Sequence, residues 1–182
     1  MELIPLSLKD ACQIRLFRQE DDRGIFFKPF HFSSLQKYGI DFVAKESICS
    51  VSKKDVVRGM HFQEAPYAQA KLVYCPHGTI LDVILDLRPE SETYGKYEAV
   101  ELSAQNGRAL YIPEGFAHGF LALTDDAITS YILNAEYHPA SDTGILWNSF
   151  GYEWPVKNPV ISVRDLGFET FRHKTVGHKN KL

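Results

Sequence analysis

The sequence predicts an all-β sandwich or barrel, and three observations carry that prediction. From about Phe42 to Leu133, short apolar or alternating runs recur every ~8–12 residues, each closed by a turn signal. β-Branched and aromatic residues, which suit a pleated, half-buried surface, dominate those runs. Composition is globular: 45% of the 182 residues are hydrophobic and 24% are charged, enough for one domain with a sizeable core.

The elements follow in order. Asp21-Asp22 predicts a turn, and Arg23-Gly-Ile-Phe-Phe-Lys-Pro-Phe30 an aromatic strand after it. Ser33–Gly39 opens on a capping-type serine and closes on glycine, which predicts a short peripheral helix. Lys71–Cys75 reads as a strand ending in a turn at Pro76-His-Gly78, and Thr79–Leu87 as a buried strand. Tyr97–Leu102 alternates, and Ala109–Ile112 runs into Pro113-Glu-Gly115. Gly119–Leu123 and Ile128–Leu133 flank a Thr-Asp-Asp turn. After Asn134 the pattern loosens, and Trp147, Trp154 and Pro155 are expected to pack over a barrel end. No repeat or linker divides the chain, so residues 1–182 are expected to form one domain with its core at about 20–166 and a basic, frayed tail at about 172–182.

Composition also excludes function classes. A net charge of −3 provides no basic face for nucleic acid. Met1–Asp10 lacks the basic and apolar regions of a signal peptide, and no run approaches the ~18 apolar residues of a membrane span. A cytoplasmic protein with no membrane partner is expected. Cys12, Cys49 and Cys75 are widely spaced without a CxxC pair, which suits reduced thiols.

One segment carries a recognisable pattern. Gly107-Arg-Ala-Leu-Tyr-Ile-Pro113-Glu-Gly115-Phe-Ala-His118 resembles the second motif of the cupin superfamily of double-stranded β-helix (jelly-roll) barrels, G-x5-P-x-G-x2-H-x3-N, with Ala122 in place of the final asparagine. A metal in such a barrel needs about three N or O donors. The first cupin motif, His-x-His with a following Glu, here reads His61-Phe-Gln63 with Lys71 where the Glu would stand. A glutamine is a poor ligand and an ammonium repels a cation, so no metal is expected. The inward polar residues make a different set. His61 is a candidate base, Lys71 an electrostatic stabiliser, Tyr131 an acid and Asp165 the carboxylate that orients His61. Each also has an ordinary structural alternative, as a satisfied strand histidine, a surface lysine or a core tyrosine.

The segments Asp22–Phe27, Arg58–Gln63, Gln69–Val73, Gly78–Asp86 with Arg88-Pro-Glu-Ser91, Ile112–Phe120, Tyr131–Pro139, Gly144–Asn148, Trp154-Pro155 and Ser162-Val-Arg-Asp165 together resemble, in this order, the dTDP-4-dehydrorhamnose 3,5-epimerase family over roughly residues 20–166. That resemblance implies a cofactor-independent epimerase acting on a nucleotide-linked 4-keto-deoxy sugar in deoxysugar or surface-polysaccharide biosynthesis. It implies His61 as base, Tyr131 as proton donor on the other face, Asp165 as partner of His61 and Lys71 beside the enolate. It also implies substrate contacts from Arg23, Arg58, His118 and Asp142, the last where the family often has glutamate. Gln63, Lys28 and Arg164 lie at matching positions, and a homodimer exchanging N-terminal strands is implied too.

Two segments depart from the family pattern. Lys28 stands where a substrate-contacting glutamate is common, and Glu46-Ser-Ile-Cys-Ser50 replaces Gln-Asp-Asn-His-Ser. Such changes alter which sugar or base is accepted, because sites built for hydrogen bonds discriminate strongly. Relatives of the family act on GDP-linked 4-keto-deoxyheptoses in capsule synthesis, and some invert a single centre. The alternatives are a nucleotide-sugar 3,4-ketoisomerase of the same fold, a metal-dependent cupin enzyme and a non-catalytic sugar-binding barrel.

Overall fold

In the computed structural model, which describes residues 1–171, the alternating runs close into two facing antiparallel sheets. One sheet has the order β1 (Glu2–Pro5), β2 (Cys12–Arg15), β10 (Arg108–Ile112), β7 (Lys71–His77), β12 (Ala127–Leu133) and β5 (Glu46–Ser52). The other has the order β13 (Asp142–Gly144), β6 (Val57–Gln63), β11 (Phe116–Ala122), β8 (Thr79–Asp86) and β9 (Tyr97–Ser103). A hairpin of β3 (Phe17–Asp21) and β4 (Gly24–Lys28) pairs with neither sheet. Helices are short and peripheral, α1 (Phe32–Gln36) and α2 (Val163–Leu166). The expected all-β jelly-roll barrel is the observed class.

Period-two alternation sorts the side chains into three layers. Between the sheets lie Val73 and Cys75 of β7, Ile80 and Ile84 of β8, Phe116 and Phe120 of β11, and Leu110 and Ile112 of β10. The outer face of the five-stranded sheet buries Met60, Val83, Leu85, Ala117 and Leu121 under the segment that carries Ile145, Phe150 and Trp154. The outer face of the six-stranded sheet buries Ile14, Leu72 and Ala109 under Leu35 of α1 and Phe42. Burying a large apolar side chain is worth about 1.5–3 kcal/mol, so these layers set the strand register.

Several elements differ from the sequence reading. The two tryptophans pack on the outer face of the five-stranded sheet rather than over a barrel end, and Trp154 Nε1 donates to the Trp147 carbonyl at 2.8 Å. α1 is capped at His31, not Ser33, and His31 makes no side-chain cap bond; its Nδ1 lies 2.8 Å from Ser34 Oγ. β7 continues through Pro76 to His77. It can do so because the β7–β12 register slips between His77↔Ile128 and Tyr74↔Ser130, leaving Pro76 in a bulge where its missing N–H is not needed. The turn to β8 is then Gly78 alone, at φ +75°, where a Cβ would lie 2.8 Å from the Ala127 Cα.

The C-terminal segment is fastened at both ends. Val57 N–H donates to the Val160 carbonyl at 3.0 Å, and Val160 N–H to Asp55 at 2.9 Å. Ser162 caps α2 by accepting from Asp165 N–H at 3.1 Å. Leu146 N–H donates to the Glu169 carbonyl at 2.8 Å, and Phe171 N–H to Ser149 Oγ at 2.9 Å. The basic tail lies outside the described residues.

At the far end of β8, the fully buried Asp86 accepts from Arg88 Nε and Nη2, Ser91 Oγ and Thr93 Oγ1 at 2.6–2.9 Å. Burial alone would raise this carboxyl, but those donors outweigh it and hold it near 2. Its contribution to stability is therefore present above the ordinary carboxylate range, about 4, and is lost as pH falls towards about 2. Asp86→Asn is expected to destabilise the fold by about 3 kcal/mol at neutral pH. In thermal melts the gap from the wild type should narrow steadily below about pH 4.

Candidate active site

The pocket opens where β5, β7 and β12 of one sheet face β6 and β11 of the other, and its volume is about 270 Å³. Its position follows from register. His61 of β6 pairs with His118 of β11, and Tyr131 of β12 pairs with Ile48 of β5. The β6–β11 register slips between His61↔His118 and Arg58↔Phe120, so Gly59 and Met60 form a bulge. Gly59, at φ +139°, lies so close to β11 that a Cβ there would be 2.5 Å from the Gly119 Cα. The bulge sends His61 and Arg58 into the same pocket and frees the Gly59 N–H.

That N–H donates to Asp165 Oδ2 at 3.1 Å, while Asp165 Oδ1 lies 2.9 Å from His61 Nε2. Burial would raise the Asp165 carboxyl, but hydrogen bonds and charge from His61, with the Gly59 amide, hold it below its usual range. The carboxylate is placed to accept from Nε2–H, and in that tautomer Nδ1 carries the ring's lone pair. The His61 side chain is 30% exposed and Asp165 only 5%.

Lys71 is buried, and its ammonium donates to the His61 carbonyl at 3.3 Å. Burial lowers its pKa to about 8, against the opposing pull of Asp82 and Asp142. Tyr131 projects from the sheet that carries Lys71, opposite that of His61, its ring 5.6 Å from that of His118 and nearly perpendicular to it. Burial and then the charge of Asp82 raise its hydroxyl above the usual tyrosine value, and the Arg58 cation acts in the opposite sense.

The sequence reading missed Asp82. It lies at the centre of β8, fully buried, with Oδ2 2.8 Å from His118 Nε2 and Oδ1 without a partner. Burial raises the carboxyl and lowers the imidazole, which makes a second His–Asp pair. The signal was available: a carboxylate interrupting the apolar run Thr79–Leu87 is costly unless it is partnered. Tyr137 was also missed as a wall of the pocket.

The structure brings most of the expected residues together. His61, Lys71, Tyr131, Arg58, His118, Asp142 and Arg164 line one pocket, with Asp165 directly behind His61. Arg164 Nη2 donates to Asp142 Oδ2 at 2.6 Å, and Tyr137 OH donates to the same oxygen at 3.2 Å. Arg58 Nε donates to Ser52 Oγ at 3.1 Å. Three expected contacts differ. Gln63 lines the pocket, but its amide is committed to backbone, donating to Tyr67 at 2.7 Å and accepting from His138 N–H at 2.6 Å. Arg23 sits at the β3–β4 turn, 90% exposed and paired with Asp21, and does not line this pocket. Lys28, on β4, lies over the Phe17 ring at 6.0 Å and is likewise outside it. Both sit on a hairpin that pairs with neither sheet of their own chain. Glu46 and Ile48, from the divergent segment, do line the pocket, and Glu46 accepts from Tyr137 N–H at 2.6 Å. Among the described residues no group of three His, Cys, Asp or Glu side chains could hold a metal.

The model of the dTDP-4-dehydrorhamnose 3,5-epimerase family matches residues 5–173. The chain belongs to that family. It is an isomerase of the carbohydrate-epimerase type. It is 46% identical to dTDP-4-dehydrorhamnose 3,5-epimerase of Escherichia coli strain K12, covering 88% of this chain and 89% of that protein. The solved dTDP-4-dehydrorhamnose 3,5-epimerase of Elizabethkingia anophelis superposes with a TM-score of 0.90 at 35% identity, covering 96% of this chain and 98% of that one. The Legionella pneumophila family member in complex with dTDP-4-keto-L-rhamnose superposes at 0.88 with 32% identity, covering 93% and 92%.

Lys71 carries a stability consequence with a defined sign. Its folded pKa of about 8 lies below the ordinary 10.5. The buried ammonium therefore opposes folding at pH 7, and that opposition fades as pH rises from about 8 to 10.5. Lys71→Met is expected to raise stability at pH 7 by about 1–3 kcal/mol. The gain should vanish by about pH 10.5 in denaturant titrations.

Proposed function

We propose that this single epimerase domain inverts C3 and C5 of a dTDP-linked 4-keto-6-deoxy sugar by proton transfer through an enolate, with no metal or redox cofactor. One observation carries the reading: His61 and Tyr131 enter a single pocket from opposing sheets, and the Lys71 ammonium lines the same pocket beside the His61 carbonyl. Inversion at carbon needs a base on one face and an acid on the other.

The C4 ketone acidifies the hydrogens on C3 and C5. His61 Nδ1 takes one of them, and the C–H electron pair moves into the ring and onto the C4 oxygen. Asp165, already accepting from Nε2–H, stabilises the imidazolium that forms. The Lys71 ammonium offsets the enolate charge in a site largely removed from water, where one such donor is worth about 3–4 kcal/mol. The Tyr131 hydroxyl, kept protonated by burial, returns a proton to the same carbon from the other face. The Arg58 cation lessens the cost of the tyrosinate left behind. Electrons balance without an acceptor, because nothing is oxidised overall, and proton exchange with water returns the imidazolium and the tyrosinate to their resting forms before the second carbon reacts.

Arg58 also suits the diphosphate, which its guanidinium can bind through paired hydrogen bonds. The dTDP form of the substrate is supported by the names of the relatives and by the ligand in the Legionella structure. A GDP-linked heptose is the variant to set against it, since Glu46 and Ile48 have changed the wall of the pocket. Arg23 and Lys28 reach a substrate only if the β3–β4 hairpin enters the pocket of a second copy. We therefore infer a homodimer in which the N-terminal region crosses over. Exposed Phe17 and Phe26 on that hairpin, 43% and 57% accessible, supply an apolar surface for it. A cytoplasmic location and a place in deoxysugar, O-antigen or capsule synthesis go with such a substrate.

Solvent exchange in deuterium oxide, followed by NMR at C3 and C5, tests the chemistry. The expected result is exchange at both carbons of the dTDP-linked 4-keto sugar. It should fall by about 10³-fold in His61→Asn, and the rate should decline above about pH 8 as Lys71 loses its proton. Exchange only in the GDP-linked heptose would move the reading to that substrate, and exchange at neither carbon of either sugar would overturn it.

The dimer has its own test. The 20.7 kDa chain should elute with twice that mass. Mixed Arg23→Ala and His61→Asn protomers should recover activity that neither variant has alone. No recovery from the mixture would place Arg23 outside the active site.

A further inference from the structure

Behind the His61–Asp165 pair lies a contact that the proposed reaction does not yet use. Gly144 of β13 is the cross-strand partner of His61. Its backbone dihedrals do not require glycine, but its space does. A Cβ there would collide with the Phe168 ring, 2.6 Å from both Cδ2 and Cζ and nearer still to Cε2. Phe168 therefore fills the volume that a side chain at 144 would take. From there its edge-on ring lies 5.7 Å from the His61 imidazole, at an interplanar angle of 74°. The Arg164 guanidinium also packs on Phe168, 5.2 Å from the ring centroid, and the same Arg164 holds Asp142 in the pocket wall.

We propose that Phe168 is a positioning residue for His61. Seated in the gap left by Gly144, it fixes the plane of the imidazole so that Nδ1 points at the substrate carbon. A hydrogen bond to Asp165 fixes one point on the ring but only weakly opposes rotation about the Cβ–Cγ bond, because Nε2 lies close to that axis. An aromatic ring packed edge to face, 5.7 Å between centroids, restricts that rotation. The ring also ties the base to the sugar-contacting side of the pocket, through Arg164 and Asp142. Phe168 lies outside the segments that carry the family resemblance, and it touches neither substrate nor proton. It acts only through His61.

This inference rests on the epimerase reading, but its first measurement does not. NMR of the His61 ring nitrogens in ligand-free protein reports tautomer and ring order directly. In the wild type a single Nε2–H tautomer is expected. In Phe168→Ala, the same signals should broaden or show both tautomers while Asp165 is retained. With substrate, Phe168→Ala is expected to lower kcat by about 100-fold with KM changed less than about threefold, because a small misplacement of a reacting group has effects of this size. The acid limb of the pH–kcat/KM profile should shift with it. Phe168→Leu, which refills part of the gap, should recover most of the loss. Gly144→Ala should mimic Phe168→Ala by expelling the ring, and the double variant should be no worse than either single one, since both remove one contact.

A Phe168→Ala protein that melts lower yet keeps one His61 tautomer, the wild-type kcat and the wild-type pH profile would overturn the proposal and leave a packing residue. Additive losses in the double variant would also overturn it. Ring-nitrogen changes as expected, in a protein whose wild type exchanges no sugar proton, would sink the epimerase reading and keep the positioning role.

Discussion

The constraint on which the rest of this structure depends is the carboxylate of Asp165. It lies in a four-residue helix more than a hundred positions from the strand it serves, and it satisfies two donors there, the Gly59 amide and His61. A buried carboxylate is costly unless it is partnered. The C-terminal segment must therefore return to the β6 bulge, and the bulge must present its N–H. The Val57–Val160 bond, the Ser162 cap and the Leu146–Glu169 bond are the means by which it does so. One imidazole–carboxylate hydrogen bond thus ties the chain's end, the sheet's irregularity and the candidate base into a single unit.

The barrel interior around the pocket follows the same logic with other groups. Lys71, Asp82 and His118 are all buried among the apolar side chains of the barrel interior. Each is displaced from its solution behaviour by burial first and by its neighbours second. A protein selected for stability alone would fill these positions with aliphatic residues. Held together by two sheets, they instead give a pocket whose charge is fixed before a ligand arrives, which is the arrangement that electrostatic stabilisation of an enolate requires.

Much of the site was legible in the chain. The segment Arg58–Gln63, Lys71, the Pro113–His118 turn and Tyr131 stood out by residue type and by motif. A resemblance spread over many segments then named their roles. The signals that were misread share one cause. Pro76 looked like the end of a strand because the bulge that accommodates it belongs to the pairing with β12. Gln63 was expected at the substrate, but its amide is occupied by a loop carbonyl and N–H from Tyr67 and His138. Arg23 and Lys28 were expected at the pocket too, and within one chain their hairpin stands apart from the sheets, which is why the proposed role of both calls for a second copy.

The sequence by itself determined the all-β class, most strand positions and the chemical character of the site, because those depend on local alternation, turn residues and side-chain type. Only the tertiary structure decided which polar groups are paired. It showed that Asp82 partners His118, that both amide ends of Gln63 are engaged, and that Phe168 occupies the space above Gly144. The physical reason is range. Secondary structure is written over a few neighbouring residues, whereas a buried polar group or a missing Cβ is explained by whatever the register of distant strands brings against it.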